Sequence, residues 1–336
     1  MPSGMPESEF PISTLNDCST ITIPERLSVL EAVKFKAVAC TLIEQENNLE
    51  QLILDFSQTQ FIDSSGIGSL VHLFKATQEK EVQLVLLEVN SVIMSVLSMT
   101  GLDQIFLITS KEDSLNTSPN GSSRLSSVEV PPKTHPSIRS WLKRSVDIVG
   151  ASIGLVITGI VLIPIAIAIQ IDDPGPIFFR QTRCGWMGRR FKMLKFRSMC
   201  TNAEALKDQV KNEASGAFFK NSNDPRITKV GRFLRRTSLD ELPQFWNVLK
   251  GEMSLVGTRP PTPDEVENYE VPEWQRLDVK PGMTGEWQVN GRSTVKSFED
   301  VIKLDLRYQE NWSHWYDIQL ILKTVFIIFN KNSGAL

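Results

Sequence analysis

The first hundred residues alternate short apolar runs with stretches whose apolar residues recur three and four positions apart. Continuous apolar runs of about four to eight residues predict buried strands, and the three-four spacing predicts amphipathic helices. The pattern predicts strands at 20–24, 49–57, 82–89 and 105–110, and helices at 26–45, 66–79 and 91–101. Because strands and helices alternate, the sequence predicts a small α/β layer.

A stretch rich in Ser, Thr, Pro and Gly follows this layer. Residues 113–138 show no apolar period, which is typical of a linker. The sequence therefore predicts a first domain at 1–112, a linker at 113–138 and a second domain at 139–336.

The second domain begins with a long apolar run. Residues 148–169 contain no charged side chain over 22 positions. At about 1.5 Å per residue, a helix of this length can cross a hydrocarbon core of about 30 Å. The alternative is a buried helix of a soluble protein. Pro164 lies inside the run, where it removes a helical hydrogen bond and favours a break.

Basic residues flank both ends of the apolar run. Between Arg139 and Arg197 there are ten Lys or Arg residues against three acidic ones, which indicates an anionic partner such as phosphate, nucleic acid or a membrane surface. Basic flanks tend to stay on the cytoplasmic side of a membrane. Since both ends then share one side, we expect a bent, re-entrant membrane helix at about 145–171 and prefer it to a simple span.

A second apolar helix is predicted near the end of the chain. Residues 312–329 combine Trp312, Trp315 and Tyr316 with an apolar face. Such a helix can lie on the membrane interface, and an ordinary core helix is the alternative.

Composition narrows the class of protein. Hydrophobic residues make up 41% of the chain and charged residues 22%, as in globular proteins. The four cysteines and three histidines are scattered, which argues against a disulfide framework, a zinc site or a histidine-based triad. No basic start precedes an apolar run at the N-terminus, so we expect the chain to begin in the cytosol.

Two adjacent carboxylates, Asp240 and Glu241, lie in the stretch RRTSLDELPQFWNVLKGEMSLVGTRP at 235–260. We expect a helix that begins between Ser238 and Asp240, with Ser238 and Glu241 as a capping box and Gly251 at its end. Pro243 is tolerated only near the helix start, which agrees with this placement. Helix capping alone would also explain the carboxylate pair.

Several arginines surround this acidic pair: Arg226, Arg232, Arg235 and Arg236 precede it and Arg259 follows. Helix N-termini and arginine side chains both bind phosphate. An ionised Asp beside a bound phosphate can attack it and form an acyl phosphate. A second carboxylate can hold Mg²⁺. The stretch thus indicates phosphoryl transfer, with one carboxylate to attack and the other to carry the metal.

Three long motifs carry a resemblance to a known family. They are GPIFFRQTRCGWMGRRFKMLKFRSM at 175–199, DPRITKVGRFLRRTSLDELPQFWNVLKGEMSLVGTRP at 224–260, and KPGMTGEWQVNGRS at 280–293. From about residue 139 to the C-terminus the chain resembles the bacterial sugar transferases, the single-helix phosphoglycosyl transferases. The resemblance implies transfer of a sugar-1-phosphate from a UDP-sugar to a membrane polyprenyl phosphate, with release of UMP.

The resemblance also implies roles for individual residues. Asp240 would be the nucleophile that takes up the phospho-sugar, and Glu241 would be the Mg²⁺ ligand. Arg235 and Arg259 would hold phosphate groups. Pro164 matches the proline that breaks the re-entrant helix of this family.

Two further groups of residues are candidates for substrate binding. Lys195 and Arg197 could bind phosphate or lipid headgroups, or they could form an ordinary solvated edge. Gln288, Asn290 and Arg292 could bind the nucleotide, or their loop could be a structural turn. The run at 304–324 resembles the hexose-1-phosphate branch of the family, which implies glucose or galactose as the sugar.

The N-terminal run LILDFSQTQFIDSSGIGSLVHLF resembles the STAS domains of anti-sigma-factor antagonists, over about residues 10–110. That resemblance implies that Ser64 is a kinase target and that the domain binds a protein partner. A phosphate there would add nearly two negative charges. The alternative is that Asp63, Ser64 and Ser65 only cap the following helix.

Together these features predict an α/β STAS-like domain followed by a membrane-associated α/β transferase domain with a re-entrant helix and interfacial amphipathic helices. We expect it at the cytoplasmic face of the inner membrane, starting a lipid-linked polysaccharide with UDP-sugar, undecaprenyl phosphate, membrane lipid and Mg²⁺. The alternative is a membrane-tethered STAS signalling protein. Nucleic-acid binding is not expected, because no aromatic residues interleave the basic cluster.

Overall fold

A computed structural model describes residues 10–15, 17–46, 48–110, 134–206, 210, 221, 224–290 and 297–329. The chain forms two compact units. The first comprises Met1–Thr134 together with Tyr269–Asp278, and the second comprises His135–Asn268 and Val279–Leu336. Most of the predicted linker, residues 113–133, lies outside the described part of the chain. A short segment from the second half of the sequence thus belongs to the first unit.

The first unit is built on a five-stranded sheet in the order β1-β2-β4-β6-β7. Its strands are β1 (Ile12–Leu15), β2 (Cys18–Thr22), β4 (Gln51–Asp55), β6 (Gln83–Leu87) and β7 (Leu107–Thr109). β1 is antiparallel to β2, and the remaining pairs are parallel. Two-residue strands β3 (Arg26–Leu27) and β5 (Phe61–Ile62) form a separate parallel pair. The predicted α/β layer is confirmed.

Three helices accompany this sheet: α1 (Val29–Gln45), α2 (Ser64–Glu79) and α3 (Ser91–Thr100). The side chain of Asp63 accepts a hydrogen bond from the Gly66 amide and starts α2 two residues before the predicted position. Gly101 ends α3 in the left-handed conformation, at φ 76°, as its sequence position predicts.

The second unit is mixed and mainly helical. Its helices are α4 (Pro136–Arg139), α5 (Trp141–Asp172), α6 (Lys229–Arg236), α7 (Phe245–Lys250), α8 (Pro263–Glu267), α9 (Glu286–Asn290), α10 (Phe298–Glu310) and α11 (His314–Phe329). An antiparallel hairpin is formed by β8 (Phe178–Cys184) and β9 (Arg190–Phe196), and a parallel pair by β10 (Ser254–Val256) and β11 (Gly282–Thr284).

The predicted membrane helix is α5, a single helix of 32 residues that continues through Pro164. Only 22% of its most apolar 18-residue stretch is buried. Large aliphatic side chains such as Ile160 (72% exposed) and Ile171 (80% exposed) form its open face. An exposed face of this kind argues against a core helix of a soluble protein. The bend at Pro164 remains a prediction.

Small residues let the opposite face of α5 approach its neighbours closely. A Cβ atom on Gly154 would lie 2.4 Å from the ring of Phe245 in α7, so only glycine permits this contact. Nearby, Ala151 packs in an apolar cluster with Phe191 and Val248. Strand β9 and helix α7 are therefore both held against α5.

The second apolar helix, α11, has an exposed apolar face and a buried polar anchor. Trp315, Leu322 and Phe326 are each more than 60% exposed. On the other side, Asp317 Oδ2 lies 2.6 Å from the ammonium nitrogen of Lys143 in α5. This buried ion pair fixes α11 to the start of α5.

Candidate active site

Asp240 and Glu241 lie in a 3₁₀ helix, Leu239–Gln244, that leads directly into α7. The predicted capping box at Ser238 is wrong, because Ser238 adopts a left-handed conformation with φ 55° and its side chain makes no capping bond. The tight turn that follows the end of α6 at residue 236 requires this conformation. Gly251 ends α7 at φ 83°, as predicted.

Strand β9 brings a cation to the carboxylate pair. The ammonium nitrogen of Lys195 lies 3.1 Å from Oε1 of Glu241, and both side chains are about one quarter exposed, at 25% and 27%. Lys195 therefore reaches the acidic pair from a neighbouring element, which the sequence alone could not show.

Asn247 joins α7 to β9, the strand that carries Lys195, through hydrogen bonds to the strand backbone. Its side chain is completely buried. Its Oδ1 accepts from the Leu194 amide at 3.0 Å, and its Nδ2 donates to the Lys192 carbonyl at 2.8 Å and to Glu252 Oε2 at 2.6 Å. Asn247 is not among the site residues that the sequence predicts. One signal for it is present in the sequence: Asn247 is a polar side chain among mainly apolar neighbours in a short helix.

The carboxylate pair also lies against the membrane helix. The Thr158 hydroxyl in α5 donates to the Leu242 carbonyl at 3.3 Å. Leu239 and Leu242 pack beside Ile165 of α5 in one apolar cluster. Asp240 itself is only 6% exposed. The acidic pair is thus positioned next to the apolar helix.

Arg235, at the end of α6, provides positive charge near Asp240. Its Nε donates to Ser198 Oγ at 3.0 Å. Burial lowers the pKa of Arg235, and the charges of Asp240 and Asp224 oppose that effect. A buried arginine still carries its proton at neutral pH. Arg235 is therefore a fixed cation beside the predicted nucleophile.

The two other predicted phosphate-binding arginines are already paired with carboxylates. Arg197 is buried, with Nη1 3.3 Å from Asp173 Oδ2. Arg259 donates twice to Glu265, at 2.6 and 3.0 Å. Each would have to share or exchange its carboxylate partner to hold a phosphate, and their phosphate-binding roles remain predictions.

The predicted nucleotide-binding residues lie in and after the short helix α9. Within the described part of the chain, Oε1 of Gln288 is buried and has no hydrogen-bond partner. Asn290 is exposed at the end of the helix. Arg292 lies outside the described residues. The role of this group remains a prediction.

The residues present suit Mg²⁺ shared with a substrate. Among the described residues, no group of three or more His, Cys, Asp or Glu side chains could hold a metal alone. Mg²⁺ is commonly bound by one or two carboxylates together with substrate phosphates and water. Glu241, partly exposed beside the buried Asp240, fits that mode.

Comparison with known families agrees with this geometry. Residues 138–331 match the sequence model described as bacterial sugar transferase, which is more than half of the 336 residues. The chain belongs to the bacterial sugar transferase family. Residues 10–115 match the STAS domain. Both resemblances inferred from the sequence motifs are confirmed.

Individual members of the family support the match. The galactosyl transferase CpsE of Streptococcus agalactiae serotype III (strain NEM316) is 52% identical over 188 residues, which cover 55% of this chain and 42% of CpsE. The UDP-glucose:undecaprenyl-phosphate glucose-1-phosphate transferase of Escherichia coli (strain K12) is 45% identical over 196 residues, 56% of this chain and 40% of that protein. The chain spans less than half the length of these two relatives.

A shorter relative is matched over most of its length. The exopolysaccharide production protein ExoY of Rhizobium meliloti (strain 1021) is 38% identical over 194 residues, 56% of this chain and 85% of ExoY. Among solved structures, the unphosphorylated anti-sigma factor antagonist SpoIIAA is 19% identical and covers 32% of this chain and 93% of its own, with a TM-score of 0.29.

Proposed function

We propose that this chain transfers a hexose-1-phosphate from a UDP-sugar to undecaprenyl phosphate and releases UMP. The product would be the first lipid-linked unit of an exopolysaccharide. The observation that carries this proposal is the buried Asp240, with the Arg235 cation nearby, on a segment that packs against an apolar helix. The names of the relatives from Escherichia coli and Rhizobium meliloti agree with it.

The reaction would proceed in two displacements at one phosphorus atom. A carboxylate oxygen of Asp240 attacks the phosphorus that carries the sugar, the bond to the bridging oxygen breaks, and UMP leaves. A phosphate oxygen of the polyprenyl phosphate then attacks the same phosphorus. The Asp240–phosphorus bond breaks, which frees the carboxylate and yields the polyprenyl diphosphate sugar.

Charge compensation is the main contribution of the surrounding residues. Arg235 offsets the negative charge that accumulates when one anion approaches another. Mg²⁺, held by Glu241 and the diphosphate, would neutralise phosphate oxygens. When the substrate binds, Lys195 can turn from Glu241 toward a phosphate, since both side chains are partly exposed. Arg197 and Arg259, and the group Gln288, Asn290 and Arg292, would complete the substrate contacts.

The lipid substrate requires a site at the membrane. We propose that α5 enters the inner membrane from the cytoplasmic face and returns to it at Pro164, because basic residues flank both of its ends. The exposed apolar face of α11, with Trp315, would lie in the interface. Asp240 would then meet a phosphate group at the depth of the lipid headgroups.

The names of relatives indicate the sugar class. The Streptococcus relative is named a galactosyl transferase, and the Escherichia coli relative is named for glucose-1-phosphate transfer. We therefore propose UDP-glucose or UDP-galactose as the donor.

The test is UMP release by detergent-purified protein with Mg²⁺, undecaprenyl phosphate and each of the two UDP-sugars. We expect Asp240→Asn to abolish UMP release, because the amide cannot act as the nucleophile. Asp300→Asn, at an exposed position of α10, is the matched control and should retain activity. Intact-protein mass spectrometry without the lipid acceptor should show a phospho-sugar adduct in the native protein only.

Two outcomes would contradict the proposal. Unchanged UMP release by Asp240→Asn would exclude the covalent mechanism. No UMP with any UDP-sugar would favour the alternative, a membrane-tethered STAS signalling protein.

A further inference from the structure

Ser64, at the first position of α2, is completely buried although it is a polar residue at a helix start. Its cover is not part of the STAS sequence. It is the segment 269–278, which lies within the range matched by the sugar transferase family but folds in the first unit. This segment contains a 3₁₀ helix, Val271–Leu277.

Side chains spaced four residues apart on α2 contact this segment in order. Ser64 Oγ lies 2.6 Å from the Trp274 carbonyl oxygen. A Cβ atom on Gly68 would lie 2.6 Å from the Trp274 indole, so the ring rests directly on the helix. His72 Nε2 donates to the Tyr269 carbonyl at 2.6 Å. Residues four apart share one helix face, so the whole face is occupied.

Asp278 completes the contact at Ser64. Its Oδ1 lies 2.5 Å from Ser64 Oγ and accepts from the Ser64 amide at 3.1 Å. A hydroxyl has one hydrogen, yet Ser64 Oγ faces two oxygen atoms, the Trp274 carbonyl and Asp278. A proton on Asp278 satisfies both contacts, and burial, which raises the pKa of Asp278, agrees with that assignment.

The segment 269–278 carries large apolar side chains that are buried from solvent within the first unit. Tyr269, Val271, Trp274 and Leu277 are each at most 5% exposed. A second anchor is the ion pair between Lys36 of α1 and Glu270, with N and O atoms 2.7 Å apart. The contact is therefore a packed surface and not a single hydrogen bond.

A phosphate on Ser64 is incompatible with this packing. It would bring a charge of about −1.5 to −2 to a position next to the carboxyl groups of Asp63 and Asp278. It would also need space where Ser64 has none, since the residue has no exposed surface.

We infer that the Ser64 face of the STAS domain is a docking surface for residues 269–278 of the same chain, and that this segment and a phosphate on Ser64 exclude each other. The partner of the STAS face is then built into the transferase sequence. A kinase or an external protein can reach Ser64 only when the segment leaves. This inference goes beyond the transferase reaction and does not depend on it.

Hydrogen exchange measured by mass spectrometry on the full chain in detergent tests the inference. In Ser64→Glu, we expect the amides of 269–278 to exchange roughly tenfold faster or more, while the strand amides of β4 and β6 keep their protection. Ser95→Glu adds the same charge to an exposed serine of α3 and is the control. Equal protection of 269–278 in both variants would overturn the inference.

A variant on the segment side covers the case in which Ser64→Glu unfolds the domain. Asp278→Ala keeps the STAS sequence intact and removes the carboxyl group that holds Ser64. We expect the amides at the start of α2 to exchange faster while β4 and β6 stay protected. Unchanged exchange there would show that the segment does not close the Ser64 face. Neither readout uses UMP release, so failure of this inference and failure of the proposed function are distinguishable.

Discussion

Removing the charge of Asp317 tests how the two apolar helices of the second unit are joined. Asp317 and Lys143 form an ion pair with N and O atoms 2.6 Å apart and side chains 9% and 8% exposed. Asp317 also accepts from the Tyr308 hydroxyl at 2.8 Å and from Trp312 Nε1 at 3.2 Å. Lys143 has one further strong acceptor, the Val256 carbonyl at 3.0 Å.

The expected cost follows from the charge that is left behind. Breaking a buried ion pair by removing one partner typically costs about 3–5 kcal/mol of unfolding free energy, because the other charge stays buried. In Asp317→Asn the side-chain size is kept, and Lys143 retains the Val256 carbonyl. We therefore expect the lower end, about 3 kcal/mol.

Denaturant unfolding in detergent, followed by tryptophan fluorescence, measures this cost. The control is Asp300→Asn, which breaks an exposed pair with Lys303 at 3.6 Å and should cost at most about 0.5 kcal/mol. The double variant Lys143→Met/Asp317→Leu should recover most of the loss, because no buried charge remains. A loss below about 1 kcal/mol in Asp317→Asn, as for a surface pair, would refute the reasoning.

Two further predictions concern the acidic pair and the STAS domain. Asn247→Leu removes the three hydrogen bonds of a buried side chain, so the free energy of unfolding should fall by about 3 kcal/mol. UMP release should also slow, because the strand that carries Lys195 is held less firmly. Unaltered values in the unfolding and UMP assays would contradict this. Burial is the largest cause that raises the pKa of Asp63 from 3.8 to about 7. Its contribution to stability is therefore full below pH 3.8 and is lost as pH rises to about 7, at up to about 1.4 kcal/mol per pH unit. Asp63→Asn should flatten that slope in unfolding curves measured between pH 5 and 7 on the same buffers, and an equally steep slope would show that another group is responsible.

The sequence predicted local structure well where a residue and its neighbours decide the outcome. Apolar patterns predicted the helices α1, α2 and α3 and the strands β2, β4, β6 and β7 of the STAS domain, but not the short strands β1, β3 and β5. Glycines marked two helix ends, at Gly101 and Gly251. The apolar run gave α5, predicted at about 145–171 and observed at Trp141–Asp172. The predicted start of α2 was two residues late, because the side chain of Asp63 caps the helix and lets it begin at Ser64.

Features that depend on distant partners could not be read from the pattern. Ser238 took a left-handed turn because of the chain's path between two helices, and not because of its own side chain. Arg197 and Arg259 are predicted to hold phosphate groups, and the sequence does not show that they form ion pairs with Asp173 and Glu265. No periodic signal links an arginine to the acidic residue that will meet it in the fold.

The role of the segment 269–278 also depends on a partner that is distant in the sequence, so the sequence pattern does not predict it. The spacing of positions 64, 68 and 72 places them on one helix face. The residues that cover this face, Trp274 and Tyr269, lie some two hundred positions further along the chain. Helical periodicity says that a face exists. It does not say whether solvent, another protein or the chain itself covers that face.

Because the first unit is built from two separate parts of the chain, the STAS domain cannot be expressed in full as a simple N-terminal fragment. A fragment that ends at residue 134 would lack Tyr269–Asp278 and would present Ser64, Gly68 and His72 to solvent. Our inference predicts that Ser64 is more accessible to a kinase or a partner protein in such a fragment than in the intact chain. A protein used to search for binding partners should therefore be the whole chain, or a STAS fragment to which residues 269–278 are joined by a short linker.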